Sequence, residues 1–139
     1  MKIVIDTSVW ISALITKNSD SRKLLRLVFE KKLLPQMSES LFYEYENVMK
    51  RKKIQDITPL TKQEQGSLLN AFMSTCRWNE IYFMWRPNLS DEDDNFVVEL
   101  AVASGAEFIV TYNIKDFKNA ELIFNHKIMT PEDLIKEIS

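Results

Sequence analysis

A short apolar run at the start of the chain constrains the fold more than any other feature. Residues 3–5 are Ile, Val and Ile, and Asp6 follows them directly. An uninterrupted run of β-branched residues is typical of a strand buried on both faces, as in parallel sheets. Ligands of open parallel sheets bind beyond the carboxyl ends of the strands, which predicts that Asp6 faces a binding site. Alternatively, Asp6 satisfies free amides at the start of the next helix, and this run alone does not choose between the two.

Length and composition predict one domain, residues 1–139. The chain has 139 residues and only two glycines, so it is long enough for one core and has no flexible linker. Apolar residues make up 45% and charged residues 27%, and the net charge is -2, which indicates no particular partner. No apolar stretch approaches the roughly 18 residues of a membrane span, and Asp6 interrupts any secretory pattern. The single cysteine, Cys76, excludes an internal disulfide, so we expect a cytoplasmic protein.

Strand and helix signals alternate along the chain, and this alternation predicts an α/β fold with a mainly parallel sheet. Pro35 weakens the second strand signal, because proline lacks the amide hydrogen that a sheet requires. The predicted strands are 2–5, 33–37, 78–85, 107–111 and 128–130. The predicted helices are about 7–15, 19–29, 38–50, 61–76 with a capping box at Thr61 and Glu64, 96–103 ended by Gly105, and one that starts at Pro131.

Polar residues follow two of the predicted buried strands. Asp6, Thr7 and Ser8 come after the first, and Thr111, Tyr112 and Asn113 come after the fourth. The carboxyl ends of parallel strands lie on one edge of the sheet. The acidic segment 91–94 begins the helix that leads into the fourth strand, so the same edge should receive its carboxylates.

This gathering of carboxylates predicts a divalent cation. Asp94 shares a helical stripe with Val97, Val98 and Ala101, which directs it towards the buried edge. Two like charges about 4 Å apart repel by about 4 kcal/mol at an effective dielectric constant of 20. Favourable charge at a helix N-terminus would need only one or two acids. An oxygen-rich site with little histidine suits Mg²⁺ or Mn²⁺.

The sequence leaves two further choices undecided: which glutamate of the third helix enters the site, and what the basic run near its end does. The helix predicted for 38–50 carries Glu44 and Glu46 on opposite flanks of its apolar stripe, and either could reach an interior site. The run from Lys50 to Lys53 is either a solvated helix end or part of a surface for nucleic acid.

The chain resembles a PIN domain, the family of metal-dependent nucleases that includes the VapC-type toxins of toxin–antitoxin pairs. The resemblance implies a three-layer α/β/α fold with a short, mainly parallel central sheet. Each motif is short, but their order and spacing fit the family over nearly the whole chain. The matching segments are Ile3–Leu14, Ser40–Glu44, Asp93–Ala101, Gly105–Asn113, Lys115–Phe117 and Ile128–Pro131.

The resemblance also implies roles for individual residues. It assigns Asp6, Glu44 and Asp94 as catalytic residues and ligands of Mg²⁺ or Mn²⁺. Many members carry aspartate where this chain has Asn113, which can hold a metal-bound water but supplies no charge. Asp116 is either a replacement for that acid or a turn residue. The supporting residues are Thr7, Ser8, Asp93, Thr111, Asn113 and Asp116.

The implied function is that of an endoribonuclease, the toxin of a toxin–antitoxin pair. Its partners would be an RNA substrate, an antitoxin and a second copy of the chain, without a membrane. The alternative is a non-catalytic PIN-like module that binds RNA or protein, and Asn113 favours it. A haloacid-dehalogenase-like phosphatase would need an acid at Ser8, and no glycine-rich loop for a nucleotide follows either buried strand. His126 lies outside every matching segment and is interpreted as structural or exposed.

Overall fold

The computed structural model describes residues 1–81, 92–117 and 127–138, with only the helical backbone of residues 92–95. The strands are β1 (Lys2–Ile5), β2 (Leu34–Met37), β3 (Arg77–Trp78), β4 (Phe108–Val110) and β5 (Lys127–Met129). The helices are α1 (Thr7–Ile15), α2 (Asp20–Phe29), α3 (Glu39–Met49), α4 (Lys52–Ile57), α5 (Lys62–Thr75), α6 (Glu92–Ser104) and α7 (Pro131–Ile138), with a 3₁₀ turn at Ile114–Phe117.

The sheet is parallel throughout and has β1 at its centre. Its strand order is β3-β2-β1-β4-β5, and all four neighbouring pairs run in the same direction. The predicted three-layer α/β fold is thereby confirmed. Since the carboxyl ends share one edge, the residues that follow the strands meet there. These residues include Asp6, Ser38, Thr111 and Thr130.

The core forms where the apolar run of β1 meets three aromatic rings. Ile3, Val4 and Ile5 are at most 1% exposed, as expected for a strand with two covered faces. Trp10 of α1 stacks on Phe72 of α5 with ring centroids 5.3 Å apart. Tyr45 of α3 contacts both rings, with centroid distances of 5.5 and 5.9 Å. These rings join three helices beside the central strand.

Pro35 lies in an internal strand without breaking the pairing with β1. The amide of Leu34 donates to the carbonyl of Met1 at 2.9 Å, so the nitrogen of Pro35 points to the opposite side, towards β3. There β3 pairs only with Gln36 and Met37. Pro35 therefore lacks its amide hydrogen at a position that has no pairing residue in β3.

Local sequence signals located most helix ends correctly. Thr61 and Glu64 form the predicted capping box, and Ser19 and Ser38 accept amide hydrogen bonds as N-caps. Gly105 has a φ of 69°, the left-handed conformation that ends α6. Among the described residues, no helix has both the length and the apolar character needed to cross a bilayer.

Two predictions for the middle of the chain were wrong. The strand expected at 78–85 is the two-residue β3, and residues 82–85 lie outside the described part. Helix α4 was not predicted, because Ile54 is its only buried residue and one apolar position defines no period. As a consequence, the basic run 50–53 spans a junction between two helices rather than one helix end.

Candidate active site

Asp6 lies directly beyond the central strand, at the carboxyl edge of the sheet. Its amide donates to the carbonyl of Val110 at 2.9 Å, which continues the pairing of β1 with β4. Asp6 occupies the N-cap position of α1, yet its side chain makes no capping hydrogen bond. The carboxylate instead accepts hydrogen bonds from two hydroxyl groups, and its role at a binding site stays a prediction.

The hydroxyls of Ser8 and Thr111 converge on one oxygen of Asp6. Ser8 Oγ lies 2.8 Å and Thr111 Oγ1 lies 2.7 Å from Asp6 Oδ2. Each hydroxyl oxygen also accepts an amide hydrogen, Ser8 from Tyr112 at 3.1 Å and Thr111 from Asn113 at 2.9 Å. Because an ionised carboxylate can only accept, both hydroxyls donate to Asp6. The polar ends of β1 and β4 thus orient one carboxylate.

Burial gives this carboxylate an unusual electrostatic state. Asp6 is 4% exposed, and desolvation raises its pKa above the ordinary value of 3.8. The hydrogen bonds from Thr111 and Ser8, and the nearby amides of Thr7 and Ser8, act in the opposite direction and lower the pKa. Desolvation is the larger effect, so the charged form would be stabilised by a cation at this position.

Glu44 is held near the end of β1 by its neighbour in α3. The hydroxyl of Tyr45 donates to the carbonyl of Ile5 at 2.5 Å, and this bond docks α3 against the residue that precedes Asp6. Glu44 itself is 9% exposed. Its Oε1 lies 3.9 Å from Nη2 of Arg51, the residue between α3 and α4. The middle of α3 therefore carries a second, mostly buried carboxylate, next in sequence to the residue that docks α3 on β1.

The other glutamates of α3 have different surroundings. Glu46 lines a cavity of about 380 Å³ together with Met49 and with Gln65 of α5. Glu39 accepts a hydrogen bond from the exposed hydroxyl of Tyr43 at 3.0 Å. Packing therefore separates Glu44 from Glu46, which periodicity left equivalent.

The remaining predicted residues divide into described and undescribed positions. Asp93 and Asp94 belong to the first turn of α6, which packs against β1 and α3, but their side chains lie outside the described residues. Asn113 and Asp116 are exposed after β4, where the amide of Asp116 donates to the carbonyl of Asn113 at 3.0 Å. The structure brings together Asp6, Ser8 and Thr111, and it does not bring Asn113 or Asp116 side chains into that network. Thr7 is half-buried.

The donor set suits a hard divalent cation. The oriented carboxylate, the neighbouring hydroxyls and the buried glutamate offer oxygen atoms only, which Mg²⁺ and Mn²⁺ prefer. Within the described side chains, no three of the His, Cys, Asp and Glu residues form a metal-binding group. Asp6 and Glu44 supply the carboxylate type of ligand that such an ion binds, and their joint coordination of one ion is a proposal.

A comparison with models of protein families identifies the family of this chain. The PIN domain model matches residues 2–115. The chain belongs to the PIN domain family. PIN domains are generally nucleases, and those nucleases generally use divalent metals. An uncharacterised protein of Methanocaldococcus jannaschii is 29% identical over 149 aligned positions, which cover 99% of this chain and 91% of that protein.

Solved structures with the same fold span nearly the whole PIN domain chain. VapBC2 of Rickettsia felis, bound to a DNA fragment from their promoter, matches with a TM-score of 0.62 and 20% identity, over 92% of this chain and 97% of the other. FitAB bound to the IR36 DNA fragment gives 0.60 and 16%, over 93% and 94%. A protein of Pyrobaculum aerophilum gives 0.63 and 14%, over 99% and 89%.

Sequence reasoning missed two parts of this site. Arg51 was considered only as one of four basic residues, and nothing in its spacing indicates that it contacts Glu44. The hydroxyl bond of Tyr45 was not predicted, although a tyrosine at a buried position of a helix needs a partner for its hydroxyl, which is a usable signal.

Proposed function

We propose that this protein is a Mg²⁺- or Mn²⁺-dependent endoribonuclease and the toxin of a toxin–antitoxin pair. The observation that carries the proposal is the buried Asp6 carboxylate at the carboxyl edge, held by Ser8 and Thr111. Two oriented hydroxyls that stabilise an otherwise unfavourable buried charge are typical of a functional site. Because the chain belongs to a family that consists mostly of nucleases, the function we infer for this charge is cleavage of a nucleic acid.

Asp6, Glu44 and Asp94 would hold the cation. Ser8 and Thr111 would keep the Asp6 carboxylate in one orientation, and Thr7, Asp93, Asn113 and Asp116 would support the site. When bound, a divalent cation polarises the scissile phosphate and lowers the pKa of an attacking water. No side chain is then needed as a nucleophile, in agreement with the lack of a cysteine or histidine among the assigned residues.

RNA is the proposed substrate because the resemblance to PIN-domain ribonucleases implies it, and a basic surface beside Glu44 supports binding of a nucleic acid. Lys50, Arg51, Lys52 and Lys53 are all exposed, and Arg51 contacts Glu44. Exposed cations beside a carboxylate centre can hold the phosphate backbone while the ligands act on one phosphate.

An antitoxin is the proposed protein partner. The support is the shared fold with the antitoxin–toxin complexes VapBC2 and FitAB, each bound to a DNA fragment. A homodimer is also proposed. Co-expression with the product of the adjacent reading frame should yield a stable complex that lacks ribonuclease activity, and a frame whose product neither binds nor inhibits would contradict the toxin assignment.

Cleavage of a labelled RNA panel with Mg²⁺, Mn²⁺ or EDTA tests the activity. We expect cleavage with either metal and none in EDTA. Asp94→Asn should abolish cleavage and stabilise the metal-free protein, because it removes one of several mutually repelling charges. Glu44→Gln should also abolish cleavage, whereas the matched variant Glu46→Gln should retain it. Loss of activity in the Glu46 variant alone would show that the wrong glutamate is assigned.

A second candidate function is binding of RNA without cleavage. Asn113, which replaces an acid of the family pattern and is exposed, favours this alternative. Metal-dependent RNA binding without cleavage of any RNA in the panel would support it.

A further inference from the structure

Arg51 and Glu44 form an ion pair that links the basic surface to the acidic site. Arg51 Nη2 lies 3.9 Å from Glu44 Oε1. The Glu44 side chain is 11% exposed and the Arg51 side chain 58% exposed. Glu44 is therefore mostly buried in the protein, whereas the long side chain of Arg51 reaches it from the surface.

The junction between α3 and α4 sets the position of Arg51. The amide of Arg51 donates to the carbonyl of Val48 at the end of α3, and its carbonyl accepts the amides of Ile54 and Gln55 at the start of α4. Ile54 is 6% exposed and anchors the short helix in the core. With its backbone held on both sides, the arginine reaches back along α3 by about two helical turns to Glu44.

We propose that Arg51 is the counter-ion of the acidic site in the metal-free protein and binds an RNA phosphate once a cation occupies Glu44. This inference rests on the proposed function. A carboxylate that is largely removed from water needs a positive neighbour, and Arg51 supplies one before the metal arrives. A divalent ion held by Glu44 would compete with the guanidinium for this carboxylate.

The released guanidinium suits a phosphate better than a lysine would. Its planar arrangement of donors can make two parallel hydrogen bonds to a phosphate, whereas an ammonium acts as a point charge. Lys50, Lys52 and Lys53 flank Arg51 and are exposed. The phosphate held by Arg51 would therefore lie at the boundary between the basic surface and the proposed metal ligands.

Calorimetric titration with Mn²⁺ tests the first half of the proposal without reference to activity. Arg51→Ala should bind Mn²⁺ about fivefold more tightly than the wild type, the scale set by an ion pair with one exposed partner. Lys52→Ala removes the same charge from the adjacent residue and should leave the Mn²⁺ affinity within twofold of wild type.

Steady-state cleavage of one RNA substrate tests the second half. Arg51→Ala should raise KM about fivefold with kcat within twofold of the wild type, and Lys52→Ala should raise KM less. Equal Mn²⁺ affinities of Arg51→Ala and Lys52→Ala, or an unchanged KM in Arg51→Ala, would overturn the role of Arg51. A wild-type protein that binds no Mn²⁺ would overturn the proposed metal site and the inference with it. Mn²⁺ binding with no RNA cleavage would refute the ribonuclease alone, and an equal affinity of wild type and Arg51→Ala for the same RNA in Mn²⁺ would then refute the phosphate-binding role.

Discussion

The hydroxyl of Tyr45 links α3 to the end of β1, and the change Tyr45→Phe tests how much this link stabilises the fold. The register of β1 with β2 pairs Lys2 with Leu34 and Ile3 with Pro35. Beyond these pairs, the hydroxyl of Tyr45 donates to the Ile5 carbonyl at 2.5 Å. Burial raises the pKa of Tyr45 well above its ordinary value of 10, which favours the protonated hydroxyl as a donor.

The expected cost follows from what the phenylalanine leaves behind. Tyr45 and Ile5 are at most 1% exposed, so water cannot replace the lost donor at the Ile5 carbonyl. An unsatisfied buried acceptor costs about 1–3 kcal/mol, and we expect about 2 kcal/mol. With a typical dependence on urea of about 2 kcal/mol per molar, the unfolding midpoint should fall by about 1 M.

Urea unfolding followed by far-ultraviolet circular dichroism measures this shift. Tyr43→Phe is the matched control, because it removes a hydroxyl from the same helix that bonds to Glu39 but is exposed to solvent. Water can satisfy the groups that remain in the control, so its midpoint should stay that of the wild type. Equal midpoints for the Tyr45 and Tyr43 variants would refute the reasoning that the buried bond holds α3 in place.

Three further predictions concern the carboxylate network and the lone thiol. Because burial raises the pKa of Asp6 in the folded state, its contribution to stability is present below its ordinary pKa of 3.8 and is lost as the pH rises through the folded value. In EDTA, the urea midpoint of Asp6→Asn should therefore rise relative to the wild type as the pH increases from 3.8 through the folded pKa of Asp6; a constant difference across that window would contradict this sign. Thr111→Val removes a hydrogen bond that lowers the pKa of Asp6, so a carboxyl NMR titration should show a higher pKa than in the wild type, and an unchanged value would refute the role of that hydroxyl. Burial raises the pKa of Cys76 to about 12, and its thiol donates to the Phe72 carbonyl, so a disulfide reagent at pH 8 should react far more slowly with native than with urea-unfolded protein. Equal rates would show that the thiol is accessible.

Features set by neighbouring residues were the most predictable parts of the fold. The caps at Ser19, Ser38 and Thr61 need only a side-chain oxygen two or three residues before an amide, and all three form. The β1 strand follows from three consecutive β-branched residues. Helix α4 and the two-residue β3 were mispredicted, because neither contains enough residues to show a period.

The proposed active site was predictable to the extent that topology alone brings residues together. Parallel strands put Asp6 and Thr111 on one edge, and the structure shows a hydrogen bond between them across 105 positions of sequence. Periodicity could not separate Glu44 from Glu46, since both flank the same stripe. Only the packing of α3, with Tyr45 bonded to Ile5, buries the first and turns the second towards α5.

The sequence by itself determined the fold class, the PIN family resemblance and the position of Asp6 beyond the central strand. These features depend on the types of side chains and on their order along the chain. Local conformation and the direction of the strands then determine where these residues lie in the fold. Tertiary structure alone decided that Ser8 and Thr111 donate to Asp6 and that Arg51 pairs with Glu44. Hydrogen bonds and ion pairs depend on differences of a few tenths of an ångström between distant segments, and such distances exist only after the helices have packed on the sheet.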